Sequence, residues 1–392
     1  MGMPRAAGGE ADERLSVEVV PLPPVADLEP EWRELESRSC GSYLTGWSWI
    51  GCWIGMLGGA VALRLVRARS GERTVALGIL GESRTVRHRV IYSRSLRLHA
   101  TGRPEFDILA IECNGFVVER GREEAVSARI LAHLLEHERG WDELVLDGLW
   151  GRPQWVLEGH RTHTQLAAFG NHWVDLEAVR KRGEYLPLLG AKTRANIRRS
   201  IKEYEQFGPL SLRCAADAGE ARAFLDGLRE LHQRYWTARG EPGAFANPFF
   251  DRFHARLVGD AFARGEIQLV AVTAGEKLLG YIYNFVHQGR IYNYQLGLDY
   301  ELCEKHNRPG LVAHAYAVEF NARLGHAVYD FMMGETEYKQ ALGTDRSEMS
   351  WVVVQRDRLR FRAEALARRV RDRLRQARAR PAAGSPAPDQ AS

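Results

Sequence analysis

The sequence predicts an α/β fold of the α+β kind, in which mixed and mainly antiparallel sheets are flanked by helices. Two observations predict this class. Residues 267–299 divide into three apolar strands at Ala274-Gly275-Glu276 and at Gln288-Gly289, which are turn sequences typical of hairpins. Helical patterns stand before and after these strands, and a similar order of elements occurs earlier in the chain. With 392 residues and 45% hydrophobic content, the chain is long enough for two or three domains.

The first half is predicted to hold a hairpin, two helices and a later strand. Apolar runs flank a turn at residues 70–73, a helix covers about 122–139, and a strand follows at about 143–149. Residues 39–63 carry no charge and are long enough to span a bilayer, so a transmembrane segment is one alternative. Because six glycines interrupt this stretch and its tryptophans crowd the middle, we predict a buried helix at about 47–57.

The second half is predicted to contain more helices. Gly208-Pro209 ends its first helix, and a further helix at about 309–324 has proline in its first turn and Gly325 after its end. Other helices are expected at about 221–239 and 248–264. The predicted segments of the whole chain are a disordered start at 1–14, a first domain at 15–184, a second domain at 185–355, a basic amphipathic helix at 356–380 and a disordered tail at 381–392.

Charge and cysteine usage argue against several classes of protein. The formal net charge is only +4, which argues against a protein that binds nucleic acid over its whole surface. The five cysteines are scattered and never form a C-x-x-C pair. We therefore expect reduced thiols in a cytoplasm, rather than a disulfide scaffold or a cysteine-rich zinc site.

The stretch "HLLEH", from His133 to His137, matches the metal-binding pattern H-x-x-E-H. A helical wheel places both histidines at the edge of an apolar face that is formed by Val126, Ile130 and Leu134. A zinc site also needs a third ligand, and the downstream sequence offers no clear one. We therefore predict half-buried structural histidines and no metal.

Two segments concentrate basic residues. Five basic residues and no acid occur between Lys192 and Lys202, beside an apolar stripe. This is either a solvated helix face or a cradle for a polyanion, such as a nucleotide-bearing cofactor, a tRNA end or a lipid head group. Residues 356–380 contain eleven arginines, with an apolar residue every four positions from Leu366. That helix either lies on an anionic membrane or packs on the body of the protein.

The last third of the chain contains two features that indicate a binding site. The apolar run "AVYDFMM" ends at a glycine and leads into Glu335, Tyr338 and Lys339, which are polar groups that an ordinary turn does not need. Upstream, a helix begins at Pro309 after Arg308. Because the amides at the start of a helix point outward and its dipole is positive there, this is a natural site for pyrophosphate.

These segments resemble the acyltransferase domain of the GNAT superfamily. The likeness is carried by "AKTRANIRRSIKEYEQFG", "NRPGLVAHAYAVEFNARLG" and "YDFMMGETEYKQALG", with "YLTGWSWIGCW" and "TGRPEFDILAIECNG" in the first half. Within the superfamily the chain is similar to the double-GNAT branch of cellulose-biosynthesis-associated acetyltransferases and Fem peptidyltransferases. The likeness covers about residues 17–355. It implies two tandem GNAT-like domains, with the catalytic groove mainly in the second.

The resemblance implies an acyl-CoA site where two parallel strands splay apart. The family's phosphate loop is Q/R-x-x-G-x-G/A, and this chain keeps only its final glycine, so other activated donors stay open. The residues implied to bind acetyl-CoA or another acyl-CoA are Gln295, Leu296 and Gly297 on the strand, and Lys305, Asn307, Arg308 and Gly310 in the loop.

It also implies roles for the polar residues that follow the second splayed strand. Tyr338 stands where many GNAT enzymes keep the general acid that protonates the leaving thiolate. Glu335 is the candidate base for the attacking amine, directly or through a water. Lys339 either holds a carboxylate or phosphate or lowers the pKa of Tyr338 by its charge. Aromatic residues that would line an acceptor pocket, or simply fill the core, are Tyr235, Trp236, Tyr281, Tyr283, Tyr292 and Tyr294.

Three functions are compatible with these patterns. The first is a cytoplasmic N-acyltransferase that moves an acyl group from acyl-CoA to a small-molecule amine, such as an amino sugar or amino acid for envelope or exopolysaccharide biosynthesis. The second is a peptidyltransferase of Fem type that uses aminoacyl-tRNA, with residues 192–202 contacting the RNA. The third is a non-catalytic accessory of polysaccharide export. In any of them, residues 356–380 are candidates for contact with the inner face of a membrane.

Overall fold

The computed structural model describes residues 15–87, 91–109, 111–157, 162–303, 305 and 307–379, so the predicted disordered ends at 1–14 and 381–392 lie outside the described residues. Within them, thirteen strands pair into one sheet. In chain order the strands are β1 (Leu15–Pro21), β2 (Leu63–Ser70), β3 (Arg73–Arg87), β4 (Ile91–Leu98), β5 (Val117–Val118), β6 (Glu143–Trp150), β7 (Thr162–Asp175), β8 (Leu210–Cys214), β9 (Ile267–Ala274), β10 (Lys277–His287), β11 (Arg290–Leu298), β12 (Val328–Met333) and β13 (Asp345–Arg356).

Helices cover both faces of this sheet. They are α1 (Val25–Ser37), α2 (Trp47–Leu57), α3 (Pro104–Asp107), α4 (Glu123–Glu136), α5 (Gln154–Leu157), α6 (Leu176–Arg182), α7 (Ala191–Glu205), α8 (Ala218–Thr237), α9 (Pro248–Ala261), α10 (Pro309–Arg323), α11 (Glu337–Leu342) and α12 (Leu359–Ala379). Short 3-10 turns occur at Tyr43–Thr45, Leu186–Leu188, Ala244–Ala246 and Phe262–Arg264.

The strands are ordered β1-β2-β3-β4-β6-β13-β7-β12-β11-β10-β9-β8, and β5 pairs with β3. Among the described strands, β4 with β6 and β11 with β12 are the parallel neighbours, and the other pairs are antiparallel. The predicted class, a mixed and mainly antiparallel sheet flanked by helices, is therefore confirmed. β13 belongs to the second half of the chain but lies between β6 and β7 of the first half. The sheet thus continues across the predicted domain boundary after residue 184.

The uncharged stretch in the first half forms α2, at the bounds predicted from the sequence. Eight of its eleven residues are buried, and it ends at Gly58, whose φ of +54° is in the left-handed region that favours glycine. Trp49 of α2 meets Phe253 of α9 with ring centroids 4.7 Å apart, so one apolar core joins the two halves. Among the described residues, none of the helices combines the length and the apolarity needed to cross a bilayer.

The predicted basic helix at 356–380 is α12. Its start is fixed to the body because Arg358, just before the helix, and Arg360 pair with Asp142, at 3.5 and 2.5 Å, and the ring of Phe361 is buried. Leu366, by contrast, is 63% exposed, so the body of the protein leaves the apolar stripe uncovered at that position.

Candidate active site

The parallel strands β11 and β12 separate after three residue pairs. Residues 290–292 of β11 pair with 328–330 of β12, and within the described part of the chain their pairing stops there. β11 continues to Leu298 and stays paired with β10 along its other edge. The second half of β11 therefore has an edge without a strand partner in the described structure, and a gap opens between the two strands.

A β-bulge lies where β12 leaves its partner. The register of β12 against β7 shifts between Asp330 and Met333, and Met332 has a φ of +61°. The fully buried carboxylate of Asp330 accepts a hydrogen bond from the Met332 amide at 2.7 Å and pairs with Arg290 at 2.8 Å. β-Bulges end strand pairing and redirect side chains. This one fixes the end of β12 beside the gap.

The gap forms a groove with a cavity of about 430 Å³. Five of the seven residues predicted to bind the donor line it. Lys305 is exposed outside the lining, and Gly297 packs so closely on the backbone of Leu228 in α8 that a Cβ would not fit. The lining residues are His232, Tyr235 and Trp236 from α8, Asn293, Tyr294, Gln295, Leu296 and Leu298 from β11, Tyr300, Asn307 and Arg308 from the following loop, Gly310, Leu311 and His314 from α10, Phe331 from β12, and Tyr338 and Lys339 from α11.

The start of α10 forms one end of the groove. Pro309 occupies the first helical position, and Arg308 precedes it with its side chain in the lining. Asn307 is held by the Tyr204 hydroxyl, which donates to its side-chain oxygen at 2.5 Å, and by a bond to the Tyr300 carbonyl. The loop before α10 is therefore fixed, with a guanidinium group and the positive end of a helix dipole beside the groove.

Tyr338, on α11, lines the groove. Its ring is parallel to that of His314, with centroids 5.9 Å apart, and the residue is 37% exposed, so a ligand can contact it. Burial and the charge of Glu112 raise its pKa to about 12. The hydroxyl is thus protonated at neutral pH, which is the state that a general acid requires.

Lys339 lines the groove, but its amine is occupied by the backbone. It donates to the Met333 carbonyl at 2.6 Å, and burial lowers its pKa. The pKa of Tyr338 is raised, chiefly by burial and the charge of Glu112, so the two predicted roles of Lys339, holding a carboxylate or phosphate or lowering that pKa, stay predictions. Lys339 fixes the end of β12 against α11.

The predicted base Glu335 lies outside the groove lining. Its carboxylate accepts a hydrogen bond from the Gly170 amide at 2.8 Å and pairs with Arg346 at 2.6 Å. Desolvation raises the pKa of Glu335, but the Arg346 charge and the hydrogen bond from the Gly170 amide hold that pKa below its ordinary value. Glu335 is therefore occupied by its own ion pair and poorly placed to take a proton from an amine.

Glu112, which precedes β5, brings a carboxylate of the first half to the end of β12; like Glu335, it lies outside the groove lining. Its Oε2 accepts a hydrogen bond from the Met333 amide at 2.6 Å. Burial raises its pKa to about 7, and the Met333 amide and the Lys339 charge only partly oppose that rise. Its own charge raises the pKa of Tyr294 and Tyr338, which both line the groove. A carboxyl group that titrates near neutrality beside a groove is suited to general base catalysis.

Sequence reasoning missed Glu112 and His314. The available signal was a polar residue inside an apolar pattern. Glu112 interrupts the run "ILAIECNG", and His314 lies on the apolar face of α10, which also carries Leu311 and Val318. Of the six aromatic residues predicted to line a pocket, three do so; the rest pack in or against the core. The three in the lining are Tyr235, Trp236 and Tyr294.

Two other features stand apart from the groove. A cavity of about 510 Å³ lies between the halves and is bordered by Trp150, Trp155 and Arg290, but not by α10 or Tyr338. It does not open between the diverging strands, so we do not assign it to the donor.

The histidines of "HLLEH" lie on and directly after α4 with ring centroids 4.9 Å apart, and the described residues contain no cluster of three or more metal-ligating side chains.

Comparison with known proteins agrees with this geometry. Residues 191–340 match the family described as acetyltransferase (GNAT) domain. A crystal structure of FemX is 12% identical, with a TM-score of 0.53 over 86% of this chain and 96% of that one. A conserved protein of unknown function from Bacteroides thetaiotaomicron is 10% identical, with a TM-score of 0.51 over 85% of this chain and 98% of that one. No curated protein matches the chain in sequence. Residues 191–340 are therefore similar to an acetyltransferase (GNAT) domain, and the two solved structures share the fold of the chain.

Proposed function

We propose that the protein is an N-acyltransferase that moves an acyl group from acyl-CoA to the amine of a small molecule. The observation that carries the proposal is the open gap between β11 and β12, with the start of α10 at one end and Tyr338 in its lining. The acceptor class that we propose is an amino sugar or amino acid used for an envelope or exported polymer, following the resemblance of the sequence.

The donor is held by the unpaired edge of β11 and by the start of α10. Backbone N–H and C=O groups at about residues 293–296 are available to the amides of pantetheine, because β12 has already turned away. The pyrophosphate lies against the first amides of α10. Arg308 adds a guanidinium group there, which suits phosphate and compensates for the glycine that the family loop has at this position.

The reaction needs one base and one acid. Glu112 takes the proton of the incoming ammonium group, and the free amine attacks the thioester carbonyl carbon. A new C–N bond forms, the C–S bond breaks, and the thiolate takes the proton of the Tyr338 hydroxyl. The second proton of the attacking nitrogen, released as the amide forms, passes through solvent to the Tyr338 oxygen and restores the hydroxyl. The raised pKa values agree with these roles, since Glu112 is partly ionised near pH 7 and Tyr338 is protonated there.

The proposal is tested by calorimetry with acetyl-CoA and longer acyl-CoA, followed by a thiol-release assay with a panel of amines. We expect acetyl-CoA to bind with a Kd on the order of 1 to 100 μM. Tyr338→Phe should reduce kcat by about 10²- to 10³-fold and change the donor Kd by less than about twofold. Tyr92→Phe, an exposed tyrosine on β4, is the matched control. Absence of heat with every acyl-CoA would contradict the proposed donor, and an unchanged rate would remove Tyr338 as the acid.

A second candidate, aminoacyl-tRNA as the donor, is favoured by one feature of α7. Arg198, Arg199 and Lys202 are all exposed, and among the described residues none of them forms an ion pair. Such a helix face suits the RNA backbone. Filter binding with a bulk tRNA fraction distinguishes the candidates: under this alternative, Arg198→Glu with Lys202→Glu weakens tRNA binding at least about tenfold. Binding of acetyl-CoA without binding of tRNA would contradict it.

A further inference from the structure

His314 is buried, yet one of its ring nitrogens has no partner. The residue is 0% exposed and contributes to the lining of the groove. Its Nδ1 lies 3.3 Å from the Tyr329 hydroxyl, while its Nε2 is buried without a hydrogen-bond partner in the described structure. A buried polar atom without a partner is costly, so the unpaired nitrogen of a residue that lines the groove is a candidate for a bond to a ligand atom.

The neighbours of Tyr329 decide which nitrogen of His314 carries the proton. The side chain of Asn284 donates to Gln268 at 2.8 Å, and it acts on Tyr329 as a donor would, because it lowers the pKa of that phenol against the larger effect of burial. The His314–Tyr329 bond allows either direction, and because Asn284 acts on the Tyr329 oxygen as a donor, we assign the Tyr329 proton to the bond with Nδ1 of His314. Nδ1 is then the acceptor, and the proton of the neutral imidazole lies on Nε2.

The ring stays neutral in this position. Burial lowers the pKa of His314 to about 3, and the charge of Lys339 acts in the same direction. At neutral pH the residue is therefore a fixed N–H donor, neither a base nor a cation. Its ring is parallel to that of Tyr338, so the two side chains reach the same part of the groove.

We infer that His314 is a catalytic residue whose Nε2–H donates to the carbonyl oxygen of the donor thioester. This inference rests on the proposed function. When the amine attacks, the carbonyl oxygen gains negative charge, which the N–H bond stabilises. When the C–S bond breaks, the carbonyl re-forms, the thiolate takes the proton of Tyr338, and His314 keeps its proton throughout. Tyr329 and Asn284 are positioning residues, because they fix the tautomer.

The chain offers a matched control for this pair. His254 on α9 is also 0% exposed, its Nδ1 is also 3.3 Å from a tyrosine hydroxyl, that of Tyr283, and its Nε2 is also without a partner. Unlike His314, it does not line the groove. The two histidines share burial and bonding and differ in access to the donor.

The first arm of the test requires no substrate. Nitrogen-15 NMR of histidine-labelled protein is expected to show His314 as the Nε2–H tautomer, and Tyr329→Phe is expected to abolish that preference. Detection of the Nδ1–H tautomer in the wild type would overturn the inference.

The second arm measures the carbonyl stretch of acetyl-CoA, labelled with carbon-13 at the thioester carbonyl, bound to the protein. We expect a shift to lower wavenumber in the wild type, loss of that shift in His314→Leu, and partial retention in His314→Gln, whose amide places an N–H near the same point. Turnover should fall about 10²- to 10³-fold in His314→Leu and less than about tenfold in His314→Gln. His254→Leu should retain the shift.

The outcomes separate the two proposals. A wild type that binds no acetyl-CoA overturns the proposed donor. A wild type that binds acetyl-CoA with an unshifted carbonyl, or a shift that survives in His314→Leu, overturns only the role of His314. Donor binding and thermal unfolding of each variant show whether it has folded, and Tyr329→Phe serves as the second variant if His314→Leu has not.

Discussion

Each half of the molecule contains one pair of parallel strands, and the two halves differ in what occupies the space between those strands. In the first half, residues 95–97 of β4 pair with 143–145 of β6, which repeats the three-residue pairing of β11 with β12. There the chain itself fills the gap. Asn114 donates its backbone N–H to the Gly148 carbonyl at 2.7 Å and forms a parallel bridge to Leu149.

The side chain of Asn114 completes this plug. Its amide donates to the carbonyls of Leu98 and Asp147, at 3.2 and 2.9 Å, and its oxygen lies 2.8 Å from Nδ1 of His99. In the first half, Asn114 thus satisfies backbone groups of the diverging strands, whereas in the described structure the second half of β11 keeps an edge without a strand partner. The difference teaches that strand divergence alone does not make a site, because the site also requires that no residue fill the gap.

The largest expected effect tests whether the two halves cooperate in one reaction. Glu112, two residues before Asn114, is predicted to be the base of the other half's groove, so Glu112→Gln should lower kcat by about 10²- to 10⁴-fold. Because the pKa of Glu112 is about 7 and only the ionised form accepts a proton, the wild-type rate should rise with pH through that value and the residual rate of the variant should not. The pH profile of kcat/KM measures both.

The matched control for that variant is Glu335→Gln, which removes the carboxylate that pairs with Arg346 outside the groove. We expect the rate of this variant to stay within about threefold of the wild type, because the substitution removes no bond to the transition state. A loss confined to Glu335→Gln would return the role of base to that residue.

A second experiment converts the open half into a filled one. A Cβ at Gly310 would meet only Leu298 Cδ1, at 3.4 Å, and both residues line the groove. Gly310→Trp should therefore fill the groove beside α10 and weaken acetyl-CoA binding by about 100-fold or more, the loss expected when a pocket is occupied. Gly310→Ala should bind within about threefold of the wild type. Calorimetry measures both, and tight binding to the tryptophan variant would place the donor elsewhere.

The smallest expected effect on donor binding comes from opening the filled half. Asn114→Ala leaves the carbonyls of Leu98 and Asp147 without this donor, so it should lower the free energy of unfolding by about 2 to 4 kcal/mol. The Kd for acetyl-CoA should stay unchanged, because the plug does not line the second groove. Urea denaturation and calorimetry provide the two readouts. A marked loss of donor affinity would show that the halves are coupled more closely than the comparison suggests.

The sequence predicted local elements better than it predicted contacts between the halves. The bounds of α2 were correct, and so was the strand-to-helix turn that carries Tyr338, because glycine, proline and apolar spacing act over a few residues. Glu335 and Glu112 show the limit. The role of a carboxylate depends on partners that lie far away in the chain, Arg346 and Gly170 for one and Met333 for the other. Local patterns contain no information about such pairs.

The position of β13 has a consequence for how the chain matures. It is the last strand in chain order, yet it inserts between β6 and β7, which precede it by more than a hundred residues. While the polypeptide is being synthesised, the edges of β6 and β7 that later pair with β13 have no strand partner. Unpaired strand edges promote misassembly and bind chaperones. The centre of the sheet can close only after β13 has left the ribosome, so it assembles later than the strands β6 and β7 are synthesised.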